Sequence, residues 1–118
     1  MSSLSKLVVA QVMHAANKAL CDATGDNSHL SWQDVDVATR EHFLRGIDAV
    51  LNNPTMTAKE GHDFWLTDHV ERGWTYGPIK NRVTKQHPCI VPFDELPEVE
   101  KAKDHLYIAI VRALLLEF

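Results

Sequence analysis

The sequence predicts a mostly helical α+β domain, in which four helices pack with a short two-stranded β element and a long irregular loop. Three observations lead to this fold class. Apolar residues recur at three- and four-residue intervals over four stretches. Capping residues, glycine or proline bound those stretches, and the segment 74–97 loses the helical period. With 118 residues, 45% of them hydrophobic, the chain fits a single domain, 1–118, with one core.

The first two helices are predicted from apolar stripes and end signals. Residues 4–24 form the first helix, and Gly25 ends it in a left-handed turn. The second helix is predicted to begin near Ser31, with Asp34 as its capping-box partner. It ends before Pro54, because proline disfavours helix at the residue preceding it. Its predicted core-facing stripe is Phe43, Leu44, Ile47, Val50 and Leu51.

The third helix is predicted to begin after Thr57, which forms a capping box with Glu60, and to run to about Arg72 before Gly73. Its inward candidates are Phe64, Trp65, Leu66, His69 and Val70.

The fourth helix is predicted to begin near Pro97 and to continue to the end of the chain. It is apolar on almost every side, which is typical of a helix that is central to the core or buried against a partner. We therefore expect a homodimer.

The segment between the last two helices is predicted to hold the β element. Trp74-Thr75-Tyr76 alternates in polarity and is expected to pair with Cys89-Ile90-Val91, which Pro92 limits to an edge strand. The polar loop 80–85 between them carries three positive charges.

Composition excludes several functional classes. The net charge is −4, with 12 Lys and Arg scattered among 16 Asp and Glu, whereas nucleic-acid polymers are bound by basic stripes. No apolar stretch reaches the ~20 residues that span a bilayer, and no signal-peptide pattern is present. We expect a cytoplasmic protein whose two cysteines, Cys21 and Cys89, are buried thiols, with a disulfide between them left open.

No motif for catalysis, metal or cofactor binding is found. His62 and His69 lie seven residues apart, but no H-E-x-x-H pattern or completing carboxylate accompanies them. The nucleophile elbow, the P-loop and the dinucleotide-binding glycine pattern are absent. We expect neither a catalytic residue, nor a metal ligand, nor a cofactor.

Aromatic and cationic residues are concentrated between residues 62 and 94. Ring faces there would stack on a planar group, and cations would meet phosphates. The alternative is that the tryptophans belong to the core and the loop lysines are merely solvated. The residues concerned are Trp65, Trp74, Tyr76, Lys80, Arg82, Lys85 and His87.

Three parts of this segment resemble the RyR domain, the repeat found in the cytoplasmic region of ryanodine-receptor channels and in stand-alone bacterial and phage proteins. They are His62-x-x-Trp65, the run Gly73-Trp74-Thr75-Tyr76-Gly77-Pro78, and the run Lys85-x-His87-Pro88-Cys89-x-Val91-Pro92-Phe93-Asp94-Glu95-Leu96-Pro97. The signature region is about 57–118, and 1–56 is an N-terminal helical extension whose stretch 12–20 resembles the stand-alone type.

The resemblance implies a nucleotide-type ligand held against the signature tryptophans between two repeats, which a homodimer of this chain would reproduce. The implied contacts are His62, Trp65, Trp74, Tyr76, Lys80 and His87, and Arg82 joins them as a further phosphate contact.

Three hypotheses follow. The first is a non-enzymatic domain that binds an adenine-type nucleotide or a nucleotide-derived signal, for sensing or for sequestration. The second is a structural or protein-interaction module that forms a homodimer without a small ligand. The third is an enzyme acting on a nucleotide, with His87 or His62 as acid or base, and no nucleophile or metal set supports it.

Overall fold

A computed structural model describes residues 5–116. Four helices make up most of it: α1, Lys6–Ala23; α2, Val37–Asn52; α3, Ala58–Glu71; and α4, Glu98–Val111, which continues as a π-helical turn over Arg112–Leu116. Two-residue strands, β1 (Thr75–Tyr76) and β2 (Gln86–His87), lie between α3 and α4. The predicted fold class, mostly helical α+β with four helices and one short two-stranded element, is confirmed.

The core lies where α1, α2 and α4 meet, and a methionine from the loop before α3 closes it. The π-helical turn is tied to that loop, because the Arg112 guanidinium donates hydrogen bonds to the carbonyls of Pro54 (2.9 Å) and Met56 (2.6 Å). This contact explains an arginine within the apolar C-terminal run. The buried core residues are Val9, Ala10, Met13, Ile47, Val50, Met56, Ile108 and Val111.

The predicted C-terminal end of α1 and both predicted ends of α3 are confirmed, whereas the predicted start of α1, at residue 4, lies outside the described residues. Thr57 and Glu60 form the reciprocal capping box at the start of α3. Gly25 and Gly73 have φ of 96° and 90°, the left-handed conformation that glycine adopts without strain.

The predicted start of α2 is wrong. Ser31 precedes a 3-10 turn, Trp32–Asp34, and its hydroxyl donates to the Asp34 carboxylate (3.0 Å) rather than capping a helix. The helix begins six residues later, because Asp36 is also an N-cap residue and accepts from the Thr39 backbone N–H (2.8 Å).

The predicted strand pairing is also wrong in its second partner. β1 pairs in parallel with β2, Thr75 opposite Gln86 and Tyr76 opposite His87, and Cys89-Ile90-Val91 forms no strand. Pro88 has no N–H to donate to a ladder. The strand that pairs with β1 therefore lies before this proline, and not after it as predicted.

The buried face of α3 differs in part from the one that spacing suggested. His69 is buried as predicted, but Val70, also an inward candidate, is 52% exposed, and His62, which was not a candidate, is buried. On α4 the stripe that includes Ile108 and Val111 enters the core. Periodicity alone left two possible stripes on this helix, since both are apolar. Within the described residues, no helix combines the length and apolar character needed to cross a membrane.

Gly61 fixes the spacing of α3 and α4. A Cβ added there would lie 2.8 Å from the Tyr107 hydroxyl oxygen and 3.0 Å from Cδ1 of Ile108. Gly46 on α2 provides a matched control, since an added Cβ would meet nothing within 4 Å.

We expect Gly61→Ala to lower the free energy of unfolding by about 1–3 kcal/mol, as overpacking does. Gly46→Ala should raise it by about 0.5–1 kcal/mol through helix propensity. Urea denaturation of both variants measures this, and equal effects at the two positions would contradict the close approach of α3 to α4.

Candidate functional site

A cleft of about 780 Å³ opens between the helices and the segment that carries the strands. Six of the seven predicted ligand contacts line it: His62, Trp65, Trp74, Lys80, Arg82 and His87. The seventh, Tyr76, lies on β1 outside the cleft and is 57% exposed. The fold therefore brings together side chains that are up to 25 positions apart in the sequence.

Trp65 lies between two histidine rings. His62, one turn earlier on α3, stacks on it with centroids 5.4 Å apart and planes 18° apart. His69, one turn later, stacks at 4.0 Å and 26°. Two imidazoles of the same helix therefore stack on this indole. Trp65 forms a supporting wall of the cleft.

Trp74 is held by the turn that ends α3. The backbone N–H of Trp74 donates to the His69 carbonyl (3.0 Å), and the backbone N–H of Gly73 donates to the Val70 carbonyl (3.0 Å). This pair of hydrogen bonds is the Schellman motif. The indole meets His69 and His87 at interplanar angles of 61° and 63°. Among residues 5–116 no ring stacks parallel to it, so Trp74 can offer a ring face to a planar ligand.

His87 is a neutral hydrogen-bond donor at physiological pH. Its Nδ1 accepts from the Cys89 backbone N–H (3.0 Å), so in the neutral ring the proton resides on Nε2. Burial, assisted by the charge of Lys80, lowers the pKa of His87 to about 4.

His69 is also neutral. Its Nδ1 lies 3.0 Å from the Trp65 carbonyl and donates to it. Burial, followed by the charges of His42 and Arg72, lowers the pKa of His69 to about 3.

Lys80 is the cation best placed for an anionic ligand. It is half-buried, and burial followed by the charge of Arg82 lowers its pKa. Within the described part of the chain its ammonium forms no ion pair. The third cation of the loop, Lys85, donates to the Arg72 carbonyl at the end of α3 (2.8 Å).

Behind the tryptophans, the Asp68 carboxylate joins α2 to α3. It accepts from Arg45 Nε and Nη2 (both 3.1 Å), from His42 Nδ1 (2.7 Å) and from Arg72 Nε (3.2 Å). Burial would raise the pKa of Asp68, but hydrogen bonds from Arg45 and His42 outweigh it and hold the pKa at about 2.

Two groups of side chains have spacings that suit a metal ion: His42 with Asp68 and His69, and Cys21 with Asp26 and His29. Sequence reasoning missed both, since their members come together only in the fold or across a turn. In the first, two guanidiniums already neutralise Asp68. In the second, the positive charges of Lys103 and Lys80 act on Cys21 and Asp26. Positive charge beside both groups opposes a cation.

The α4 wall of the cleft was also missed. Glu100, Lys103 and Asp104 line it, and the Lys103 ammonium binds Glu100 (2.9 Å). Burial, together with the charge of Glu100, raises the pKa of Asp104 to about 7. In the sequence, Glu100, Lys103 and Asp104 are recognisable only as charged residues three and four positions apart on one side of α4. That spacing does not reveal whether this side of the helix meets the cleft.

The fold and the cleft define a small, mostly helical α+β domain with a histidine- and tryptophan-lined pocket. A family model described as RyR domain matches residues 47–116. The chain belongs to the RyR domain family, as its signature residues predicted. The matched region begins within α2, ahead of the expected signature boundary near residue 57.

We expect acid to destabilise the protein through His69. The folded state holds its pKa at about 3, whereas the unfolded chain titrates near 6.5. Below about pH 6.5 the unfolded state therefore binds the extra proton, and stability falls by about 1.4 kcal/mol per pH unit for one such group.

Urea denaturation at about pH 7, 6 and 5 of the wild type and of His69→Gln measures the effect. The variant should lose less stability on acidification. The comparison is needed because Asp104, with its raised pKa, acts in the opposite direction over the same range. Equal pH dependence of the two proteins would contradict a buried, neutral His69.

Proposed function

We propose that this RyR domain is a non-enzymatic module that binds an adenine-type nucleotide or nucleotide-derived signal in the cleft. One observation carries the proposal: three groups border the same 780 Å³ space. They are the Trp74 indole, on which no other ring stacks within residues 5–116, the Lys80 ammonium, which forms no ion pair with those residues, and the neutral His87 donor. A planar base and a phosphate group are the ligand parts that suit these neighbours.

The size and chemistry of the cleft support this class of ligand. Small-molecule sites occupy about 300–1,000 Å³ and combine apolar walls with a few polar groups. Base stacking on an aromatic side chain contributes about 1–3 kcal/mol. A half-buried ammonium such as that of Lys80 forms charge-assisted hydrogen bonds that are stronger than neutral ones, and Arg82 at the rim adds a second cation.

The proposed mechanism is recognition without turnover. Trp74 stacks on the base, Lys80 and Arg82 bind phosphate oxygens, and His87 donates through Nε2. Trp65 and His62 form the supporting wall. The raised pKa of Cys89, about 12 because of burial and the charge of Glu100, keeps this thiol protonated and unsuited to nucleophilic attack. Sensing and sequestration of the ligand both use this chemistry, and we propose the cytoplasm as its location.

We expect thermal-shift and calorimetric titrations with ATP, ADP-ribose, cyclic ADP-ribose and cyclic dinucleotides to find a ligand. At a hundredfold excess over its Kd, a ligand adds about 2.7 kcal/mol to stability. Trp74→Ala and Lys80→Ala should each weaken binding by about tenfold or more, in line with about 1–3 kcal/mol for a stacked base. Lys59→Ala, a matched control on the exposed side of α3, should bind as the wild type does.

Trp65→Ala separates the binding proposal from a purely structural role. Its indole packs between two imidazoles, so truncation should lower stability by about 3 kcal/mol. If Trp74→Ala also loses mainly stability, and the wild type responds to none of the nucleotides, the aromatic cluster serves the core alone. Product formation during the incubations would contradict recognition without turnover.

A second proposal is a homodimer through the outer face of α4. Ala102, Ala109 and Ala113 on this side are exposed, and Leu116 is 39% exposed. Small and apolar side chains on one side of a helix allow a second helix to approach closely.

We expect light scattering after gel filtration to show a dimer at micromolar concentration. Ala109→Glu should make the protein monomeric with an unchanged Tm, because a carboxylate would be buried unpaired in the interface. A wild-type protein that is monomeric at high concentration would rule the dimer out.

A further inference from the structure

Asp104 is a nearly buried acid that receives no hydrogen bond from the residues that the structure describes. Its side chain on α4 is 14% exposed and lines the cleft. The basic side-chain atom nearest to Oδ2 of Asp104 among the described residues is Nδ1 of His62, at 3.7 Å. This distance is too long for a hydrogen bond. Its carboxyl oxygens are not among the fully buried polar atoms without a partner, so they retain access to the cleft.

The donors around Asp104 have other partners. Nε2–H of His62 donates to the Val91 carbonyl (2.7 Å), and the Lys103 ammonium donates to Glu100 (2.9 Å). The little water that reaches a nearly buried carboxyl group solvates it less well than bulk water does. A donor arriving in the cleft would offset this loss of solvation.

We propose that Asp104 is a ligand-binding residue that accepts a hydrogen bond from an N–H or O–H group of the bound molecule. The inference rests on the proposed nucleotide-binding function and narrows the ligand class. The ligand carries an anionic group for Lys80 and, apart from it, a hydrogen-bond donor for Asp104. An exocyclic amine and a ribose hydroxyl both supply such a donor, whereas a bare oligophosphate does not.

The ionisation of Asp104 makes this contact pH-dependent. The groups that face it are His62 from α3, Glu100, Lys103 and Tyr107 from α4, and Cys89 from the loop. Burial and the charge of Glu100 raise its pKa to about 7, against the opposing charge of Lys103.

The carboxylate form is the better acceptor, so a bound donor favours it and binding releases a proton below neutral pH. For one group with a pKa near 7, affinity should fall about tenfold between pH 8 and pH 6.

The test compares the wild type, Asp104→Asn and Asp63→Asn by calorimetry at about pH 6, 7 and 8. Asp63 is an exposed acid on α3 outside the cleft, so its variant is a matched control. ADP-ribose is the first probe, because its pyrophosphate diester does not titrate in this range. If ADP-ribose is not bound, ATP is used, and the Asp104→Asn series then accounts for titration of the terminal phosphate.

We expect Asp104→Asn to bind about tenfold more weakly than the wild type at pH 8 and to lose most of the pH dependence. Asp63→Asn should retain both the affinity and the pH dependence. A thermal melt of each variant checks that it is folded. Proton release by the wild type, measured in two buffers of different ionisation enthalpy, tests the same inference without any substitution.

A second set of ligands identifies the donor. ATP is compared with its 2′-deoxy and 3′-deoxy analogues and with inosine triphosphate, which lacks the exocyclic amine. The analogue without the donor should bind about tenfold more weakly to the wild type and equally to Asp104→Asn. Unchanged affinity and pH dependence in Asp104→Asn, with binding still weakened by Trp74→Ala, would overturn the role of Asp104 alone. If the wild type binds no nucleotide, both proposals fail.

Discussion

The arrangement of the cleft depends on the Asp68 carboxylate. It accepts hydrogen bonds from the guanidiniums of Arg45 and Arg72 and from the imidazole of His42. These bonds join α2 to α3 and to Arg72, the residue that caps the C-terminal end of α3. Hydrogen bonds from Arg45 and His42 outweigh the desolvation of this carboxylate and hold its pKa at about 2. The consequence of this network for the cleft is that it positions His69. The His42 ring lies edge-on to the His69 ring, with centroids 5.0 Å apart. This contact fixes the position of His69, against which both tryptophans pack.

The neutral histidines and the shifted pKa values of Lys80 and Asp104 have the same main cause, which is burial. Excluding water lowers the pKa of His69 and His87 to about 3 and 4, so neither ring carries a charge at pH 7. The same burial lowers the pKa of Lys80 and raises that of Asp104. The cleft thus contains polar groups that water satisfies poorly, and such groups gain most from a ligand that brings complementary donors and acceptors.

Local signals predicted what local interactions determine. The capping box at Thr57 and the left-handed Gly73 are fixed within one turn of chain, so the sequence was sufficient for both. The start of α2 was predicted at Ser31 from its spacing to Asp34, whereas the helix is capped by Asp36. The partner of β1 and the inner face of α4 depend on tertiary packing. The pattern of apolar residues did not contain that information.

The candidate site was likewise predicted only in the part that local chain segments determine. Six predicted contacts line the cleft because they lie on α3, on the turn that ends it, and on the loop and strand that follow. Their separate roles depend on neighbours from elsewhere. Two imidazoles stack on Trp65, whereas no described ring stacks on Trp74, although the two look equivalent in the sequence. Asp104 lines the same cleft, on a helix that is apolar on almost every side, and Gly61 lets this helix approach α3 closely. The packing of two helices therefore determines which carboxylate a ligand between them would meet.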